Sequence, residues 1–324
     1  MTINDLKAQI LEKLLKCDWV SGEEIAEEFG FTRTYIWKAV NMLRNDGYVI
    51  KAVPNLGYKL DESRDVIDPD TLRLHLAPGL EGIKLCVYDT VDSTNTAARR
   101  LAEAGTPEWT TIIARGQTDG RGRNGHKFFS PHNTGIYMSV VLKPAIPARD
   151  AVLLTTAAAV AVAKALEKNC GVKTGIKWVN DVYIDGKKVC GILTEASFEP
   201  DSACLSYAVI GIGINLLPPD EGFPEDIKDT AAAVIDSEAL NLKSRVIADV
   251  LNGLLEYYHC LSFKGFYNDY KKRCFFLKKP VTYVKDGKTV GATAVNITES
   301  FELTVRNDDG TKSTLNSGEI SIKT

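Results

Sequence analysis

Gly120-Arg121-Gly122-Arg123-Asn124-Gly125-His126-Lys127-Phe128-Phe129-Ser130-Pro131-His132-Asn133 is the stretch on which the fold turns. Its three glycines let backbone amides come close to an anion. Its two arginines add planar, permanently charged forks suited to phosphate or carboxylate. The spacing also satisfies G-x-G-x-x-G, the dinucleotide fingerprint. That reading requires a helix to open here, and the Phe-Phe-Ser-Pro-His-Asn that follows is no helix opening. A Walker lysine–serine pair is missing as well. The stretch therefore reads as an anion-binding loop between strands, with a flexible basic surface loop as the plain alternative.

Outward from this loop, residues 84–91, 111–117 and 136–143 read as strands, and 149–170 as an alanine-rich helix. Residues 181–198 read as a hairpin about Asp185-Gly186, residues 206–217 as a further strand, and 244–273 as helix. At the N-terminal end, Ile3, Leu6, Ile10 and Leu14 keep helical spacing. Ser21-Gly22-Glu23-Glu24 is a capping-box pattern opening a second helix that Gly30 ends. Thr32 caps a third helix, with Ile36, Ala39, Val40 and Leu43 on one face. GYVIKAVPNLGYKL then reads as two short strands about a Pro-Asn-Leu-Gly turn. That order is a winged helix. The last fifty residues return to strands only, with turn signals at Asp286-Gly287 and Asp308-Asp309-Gly310. A small barrel is expected there, because a lone sheet would leave its edges exposed. The expected division is 1–62 winged helix, 63–71 linker, 72–273 central domain and 274–324 barrel.

The chain has 324 residues, 44% of them apolar and 25% charged, with a formal net charge of −3, so any nucleic-acid surface must be local. Residues 1–62 carry eight Lys/Arg and ten Asp/Glu, a formal −2. Within 31–60, however, Arg33, Lys38, Arg44, Lys51 and Lys59 face only Asp46, a formal +4. The half holding the third helix and the wing is thus the basic one, as phosphate contact requires. Thr32, Arg33, Thr34, Tyr35, Lys38, Arg44 and Lys51 are the candidate DNA contacts; a solvated helix face is the plain alternative. The longest apolar-rich run, 151–166, is short for a membrane span and contains Lys164. MTINDLKAQILEKLLK does not read as a secretion signal. Seven cysteines, odd in number and without C-x-x-C, suit a reducing cytoplasm.

Three further segments bear polar groups. Asp92-Ser93-Thr94-Asn95-Thr96 follows a strand and suits either a polar head group or the cap of a helix over 97–104. Lys177-Trp178-Val179-Asn180-Asp181 combines a cation, an aromatic plane, an amide and a carboxylate. Gly211-Ile212-Gly213-Ile214-Asn215 ends a strand, where glycines serve close packing. Lys188, just past a turn, is ordinarily a solvated lysine. Neither a nucleophile–histidine pairing nor a metal-spaced cluster stands out, so the chemistry on offer is anion stabilisation.

Taken in order, Asp92-Ser93-Thr94-Asn95, Gln117 with GRGRNGHKFFSP, KWVNDVYIDGKKVCGIL, GIGIN and Gly318-Glu319-Ile320-Ser321 resemble the bifunctional biotin–protein ligase/repressors. With the winged helix in front, the resemblance covers essentially the whole chain. It implies a multidomain α+β protein: a winged helix, a central α/β domain like that of class II aminoacyl-tRNA synthetases, and an SH3-like barrel. It implies that Ser93, Thr94 and Asn95 line a biotin pocket with Gln117, and that Arg121, Gly122 and Arg123 lie on a loop closing over biotin and nucleotide. Lys188 would reach the biotin carboxylate and the α-phosphate, making Arg123 and Lys188 the catalytic candidates. Lys177, Asn180 and Asp181 would face the nucleotide, and Phe128 would stack on adenine. The family often has proline at Val179, an arginine or similar at His126 and tryptophan at Phe128. Also implied are ATP and Mg²⁺, whose ligands the resemblance leaves open, and biotinyl-5′-AMP as intermediate and corepressor. The implied partners are a biotin carboxyl carrier protein, operator DNA and a second copy of the chain. A lipoate–protein ligase shares the central fold, but its arginine-arginine and triple-glycine signature is missing here. Two rival functions stay open: a non-catalytic ligand-sensing repressor, and a ligase whose winged helix no longer binds DNA.

Overall fold

The computed structural model describes residues 3–61, 65–198, 204–237, 239, 241–285, 287–316, 318 and 320–322. It divides into two compact units, residues 1–76 with 237–248, and residues 77–236 with 249–324.

In the first unit, helices α1 (Ile3–Lys16), α2 (Gly22–Phe29) and α3 (Arg33–Asn45) precede a hairpin of β1 (Ile50–Val53) and β2 (Gly57–Leu60). Ser21 and Thr32 cap α2 and α3 through their side chains, and Gly30 closes α2 in the left-handed conformation at φ 73°. The apolar stripes meet in one core that includes Leu6, Ile10, Ile25, Ile36, Val40 and Leu43. This is the expected winged helix. The supposed linker is less free than its composition suggests. Val66 and Ile67 are buried, and Asp68 caps a short helix α4 (Pro69–Arg73) through the amides of Asp70 and Thr71. Thr71 also bonds Tyr48, and the buried Lys7 pairs with Asp46 and Asp70. Of its acidic residues, Asp68 is spent on the cap, Asp70 on the ion pair, and Asp65 on the Lys243 amide. Ser63 and Arg64 lie outside the described residues.

The second unit holds a seven-stranded sheet in the order β3-β4-β5-β9-β8-β7-β6. Its elements in chain order are β3 (Leu85–Val91), α5 (Thr94–Glu103), β4 (Thr111–Gln117), β5 (Ile136–Leu142), α6 (Val152–Cys170), β6 (Gly175–Lys177), β7 (Asp181–Ile184), β8 (Lys187–Phe198) and β9 (Leu205–Ile214). β3 and β4 run parallel and the remaining neighbours antiparallel. Central β5 is buried at every position, and α6 is buried on nearly all sides, as its continuous apolar sequence requires. The glycine–arginine loop joins β4 to the antiparallel β5, so no dinucleotide-binding βαβ unit exists here.

The helix expected over 244–273 is two, α7 (Leu242–His259) and α8 (Tyr267–Arg273). A 3₁₀ turn at Leu261–Phe263 and Lys264 at φ 51° interrupt it. The C-terminal residues form an antiparallel sheet in the order β13-β12-β11-β10-β14. Its strands are β10 (Pro280–Lys285), β11 (Lys288–Ile297), β12 (Leu303–Asn307), β13 (Lys312–Leu315) and β14 (Ile320–Ile322). Asp286 of the expected first turn lies outside the described residues. This sheet is not a separate compact unit. Phe301 packs against Phe266, Tyr267 and Tyr270, and its carbonyl accepts a 2.8 Å hydrogen bond from Trp178 Nε1.

Candidate functional site

The middle strands of the sheet set the floor of a cleft through their register. Tyr137, Gly213 and Gly191 stand in one row across β5, β9 and β8; Ser139, Gly211 and Leu193 stand in the next. A Cβ on Gly213 would lie 2.5 Å from the Phe128 ring, and one on Gly211 would lie 2.0 Å from Asn95 Oδ1. The glycines of GIGIN therefore make room for one aromatic ring and one carboxamide.

Around this floor, Ser93, Thr94, Asn95, Gln117, Arg121, Gly122, Arg123, Phe128, Asn180 and Lys188 line a cleft of about 450 Å³, counting its open mouth. A second hollow of about 670 Å³, its open mouth again counted, shares Gly122, Arg123, Phe128, Asn180 and Lys188 with it and adds Lys177, Asp181, His126 and Lys127. The structure thus brings every sequence-expected ligand residue of this domain to two adjoining pockets. α5 begins at Thr94 rather than Ala97, and Ser93 occupies its N-cap position without a side-chain cap bond. The capping reading of this segment is therefore not realised, and the polar groups turn to one another across the cleft.

Gln117 Oε1 accepts from Thr94 N at 2.8 Å and Thr94 Oγ1 at 3.1 Å, while its Nε2 donates to Ser130 Oγ at 2.8 Å. The Ser139 hydroxyl lies 2.8 Å from Thr94 Oγ1 and 2.7 Å from Asn95 Oδ1. Asn95 Nδ2 donates to Glu195 Oε2 at 2.8 Å. Apart from the Glu195 carboxylate behind Asn95, this end is an uncharged, preorganised set of donors and acceptors suited to a polar ring. Where the pockets join, the groups are charged. Arg123 Nη1 donates to Asn180 Oδ1 at 2.9 Å, and Lys188 Nζ lies 2.8 Å from Asp181 Oδ1. Asn180 is held in turn by donating to Asp181 Oδ1 and to Ile192 O. The Trp178–Val179 peptide beside it is cis. The loop folds back on itself, with Gly122 N donating to His126 O at 2.7 Å and Phe128 N to Gly120 O at 2.8 Å. Burial pushes the hydroxyl of Tyr137, a floor residue beside Phe128, up to about 12, so it stays protonated.

On the winged helix, Arg33, Thr34 and Lys38 are exposed on α3, as a DNA-contacting face requires. Lys51 on the wing is exposed and lies 3.3 Å from Asp61. Arg44 departs from expectation: its guanidinium donates to the Ile50 carbonyl at 3.0 and 2.6 Å, bracing the wing instead of facing solvent. Tyr35 is half-buried and stacks on Phe31, and the Thr32 hydroxyl is spent on its cap. Sequence reasoning passed over Trp37, which is 54% exposed between Arg33 and Lys38, a site that hydrophobic patterning would bury. It also passed over Ser139, Gly191 and Glu195, whose roles arise only from strand pairing, and Ser130, which the loop carries back to Gln117. Alternation along β8 from Gly191 was the one available signal for Glu195.

A helix-turn-helix unit and a two-pocket cleft joined by cations define a class of protein that activates a small acid and carries its own DNA-binding domain. Residues 87–215 match the biotin/lipoate A/B protein ligase family, and residues 7–59 match a helix-turn-helix domain family. The chain is 36% identical to the bifunctional ligase/repressor BirA of Bacillus spizizenii over 259 residues, 80% of this chain and 76% of that one. It is 26% identical to the Escherichia coli protein of the same name, over 100% of this chain and 99% of the other. The biotin protein ligase from Aquifex aeolicus in complex with biotin and ATP superposes with a TM-score of 0.61 at 28% identity, covering 74% of this chain and 98% of that one. The chain belongs to the biotin protein ligase family, in its bifunctional ligase/repressor branch.

Proposed function

We propose that this protein joins biotin to a lysine of a carrier protein at the expense of ATP, and represses transcription with its winged helix when the biotinyl adenylate is bound. The observation that carries the ligase reading is the sharing of Arg123, Asn180 and Lys188 between the two pockets. A ureido ring held by Ser93, Thr94, Asn95 and Gln117 would direct its carboxylate to the junction. A nucleotide lying along Lys177, Asn180 and Asp181, with adenine against Phe128, would present its α-phosphate at the same point.

There the biotin carboxylate oxygen attacks the α-phosphorus, the bond to the bridging oxygen breaks, and pyrophosphate leaves. Both reactants are anions, and Arg123 and Lys188 offset their repulsion while stabilising charge on the phosphoryl oxygens. The Arg121–Arg123 loop covers the mixed anhydride and keeps water from it. A carrier lysine, as the free amine, then attacks the acyl carbon, and AMP departs. Binding in one cleft contributes mainly by alignment.

Magnesium is expected with the triphosphate. Among the described residues no three His, Cys, Asp or Glu side chains converge as a metal site, and Asp181 is the one carboxylate lining the nucleotide pocket. One carboxylate with phosphate and water oxygens suits this ion, so Asp181 would hold it. The ion would supply neutralisation of triphosphate charge.

The other partners in this reading are a biotin carboxyl carrier protein, operator DNA met by Arg33, Thr34, Lys38 and Lys51, and a second copy of the chain. Among the described residues no helix is long and apolar enough to cross a membrane. The cysteine pattern suits a cytoplasmic site of action. The test is incubation with biotin and ATP, isolation of the protein, and mass spectrometry of the bound ligand. Biotinyl-5′-AMP is expected; its absence, with no mass gain on added carrier domain, would overturn the reading.

A further inference from the structure

Glu195 lies on β8, two and four residues beyond Leu193 and Gly191, and so on the same face of the strand. Its Oε2 accepts from Asn95 Nδ2 at 2.8 Å, and its Oε1 lies 3.3 Å from Arg121 Nη1 and 3.9 Å from Arg99 Nη1. One carboxylate therefore touches the head-group end of the cleft, the arginine loop and the second turn of α5. A negative charge beside a cleft meant for two anions raises their binding cost unless it does something in return. No step of the reaction above uses it.

Two consequences follow from the contacts. A carboxylate only accepts, so it fixes which end of the Asn95 carboxamide faces it. Nδ2 points to Glu195, with the Leu193 carbonyl a second acceptor at 3.3 Å, and Oδ1 is left toward Ser139 and the cleft, as an acceptor. A ligand ring that meets Asn95 must then bring an N–H, as a cyclic urea does. The second oxygen holds Arg121, tying the loop to the sheet before any ligand arrives. Gly211 belongs to the same device, since a Cβ there would strike Asn95 Oδ1 at 2.0 Å and displace the amide.

We propose that Glu195 is a positioning residue that couples the two ends of the cleft, orienting Asn95 toward an N–H-bearing ring with one oxygen and tethering the loop through Arg121 with the other. The ring half of this inference rests on the ligase reading; the loop half does not.

Two substitutions separate the roles. Glu195→Gln keeps an acceptor for Asn95 and loses the charge that holds Arg121; Glu195→Ala loses both. Limited trypsin digestion of the ligand-free protein reads the loop. Cleavage after Arg121 and Arg123 is expected to rise about threefold to fivefold in both variants, the scale of a partly exposed ion pair. Cleavage at sites outside the loop stays at the wild-type rate, which separates loop release from general unfolding. In an Arg121→Ala background, Glu195→Gln is expected to add nothing to cleavage after Arg123, since the partner is gone. Steady-state adenylation reads the ring: KM for biotin stays within about twofold in Glu195→Gln and rises on the order of tenfold in Glu195→Ala, with a smaller change in kcat.

Wild-type loop cleavage in both variants would overturn the tether. A KM raised as much by Gln as by Ala would overturn the orienting role. Failure of the wild-type protein to adenylate biotin would overturn the ligase reading instead, and the proteolysis result would still stand.

Discussion

Lys188 follows a two-residue turn, a place where a lysine is ordinarily left in water. Strand pairing carries it instead to the junction of two pockets, 2.8 Å from Asp181. Truncation there is expected to cost about 1 kcal/mol of stability or less, because the pair is partly exposed. Adenylate formation should fall on the order of 10²–10³-fold, since a cation aimed at a developing anion is lost. Single-turnover adenylation beside urea unfolding measures both; near-normal adenylation by Lys188→Ala would remove the residue from the mechanism. Gly211 is the opposite kind of residue, needed for what it lacks. Gly211→Ala places a methyl where Asn95 Oδ1 lies, and KM for biotin is expected to rise on the order of tenfold or more, the worth of a displaced hydrogen bond. An unchanged KM would mean that Asn95 does not meet the head group. Both residues and their partners stood out in the sequence, but the pairings did not. Asn95 and Gly211 are 116 residues apart, and no local pattern relates them.

Among the elements, the loop over 116–131 was readily legible, because its glycines, its arginines and the Phe-Phe-Ser-Pro run that follows exclude a helix opening there. It forms a narrow fold-back held by few backbone bonds, with cations at Arg121, Arg123 and Lys127. Such a segment opens at low free-energy cost. Trypsin is expected to cut after Arg121 or Arg123 in the empty protein, and biotin with ATP to protect. Equal rates with and without ligands would count against a closing loop. Helix ends were less legible. The pattern over 244–273 reads as one helix, since the apolar spacing resumes after the break; only Lys264 in its left-handed conformation and the 3₁₀ turn divide it. The second piece, α8, is tied to α6 by Arg273, which lies 2.7 Å from Glu167, and by Lys164, which lies 2.6 Å from Asp269. Burial pushes the Glu167 carboxyl up, but hydrogen bonds from Arg273 and Thr174 outweigh it and hold the group below its ordinary value. A carboxyl held low stabilises the fold above its unfolded value, near 4.5, and that contribution is lost as pH falls through the folded value. Glu167→Gln is thus expected to cost about 2 kcal/mol at pH 7 and progressively less below about pH 4.5. Urea unfolding at pH 7 and pH 3.5 tests this; a pH-independent difference would place the effect elsewhere.

For the molecule as a whole, the prediction concerns how ligand and DNA are linked. A single winged helix touches too few base pairs to select one operator from a genome of competitors. Two copies on a two-fold axis double the contact and impose a palindromic site. An adenylate that orders the loop over 116–131 relieves a dimer of that ordering cost and favours association. Linkage then requires the dimer to bind adenylate more tightly by the same factor. A carrier protein is expected to compete for the same monomer by consuming the adenylate. Sedimentation with and without biotin and ATP, together with operator binding, is expected to show ligand-favoured dimers and ligand-dependent DNA binding. An unchanged monomer–dimer equilibrium would leave a ligase with an idle winged helix.

The order of most elements, the winged helix and the course of the glycine–arginine loop were readable along the chain, because each is encoded within a few tens of residues, and the family was readable from the ordered set of motifs along the whole length. Caps, glycine turns and apolar spacing act between near neighbours in sequence. Tertiary structure alone decided which side chains meet. The register of β5, β9 and β8 aligns Tyr137 with Gly213 and Gly191, and Ser139 with Gly211 and Leu193. A shift of one residue in any of these strands would turn the glycines away from Phe128 and Asn95. The same pairing brings Glu195 within reach of both Asn95 and Arg121, and the fold of the wing, rather than any charge count, turns Arg44 to the Ile50 carbonyl. Hydrogen bonds and close contacts of this kind depend on distances of a few tenths of an ångström between segments far apart in the chain, a precision that sequence pattern does not carry.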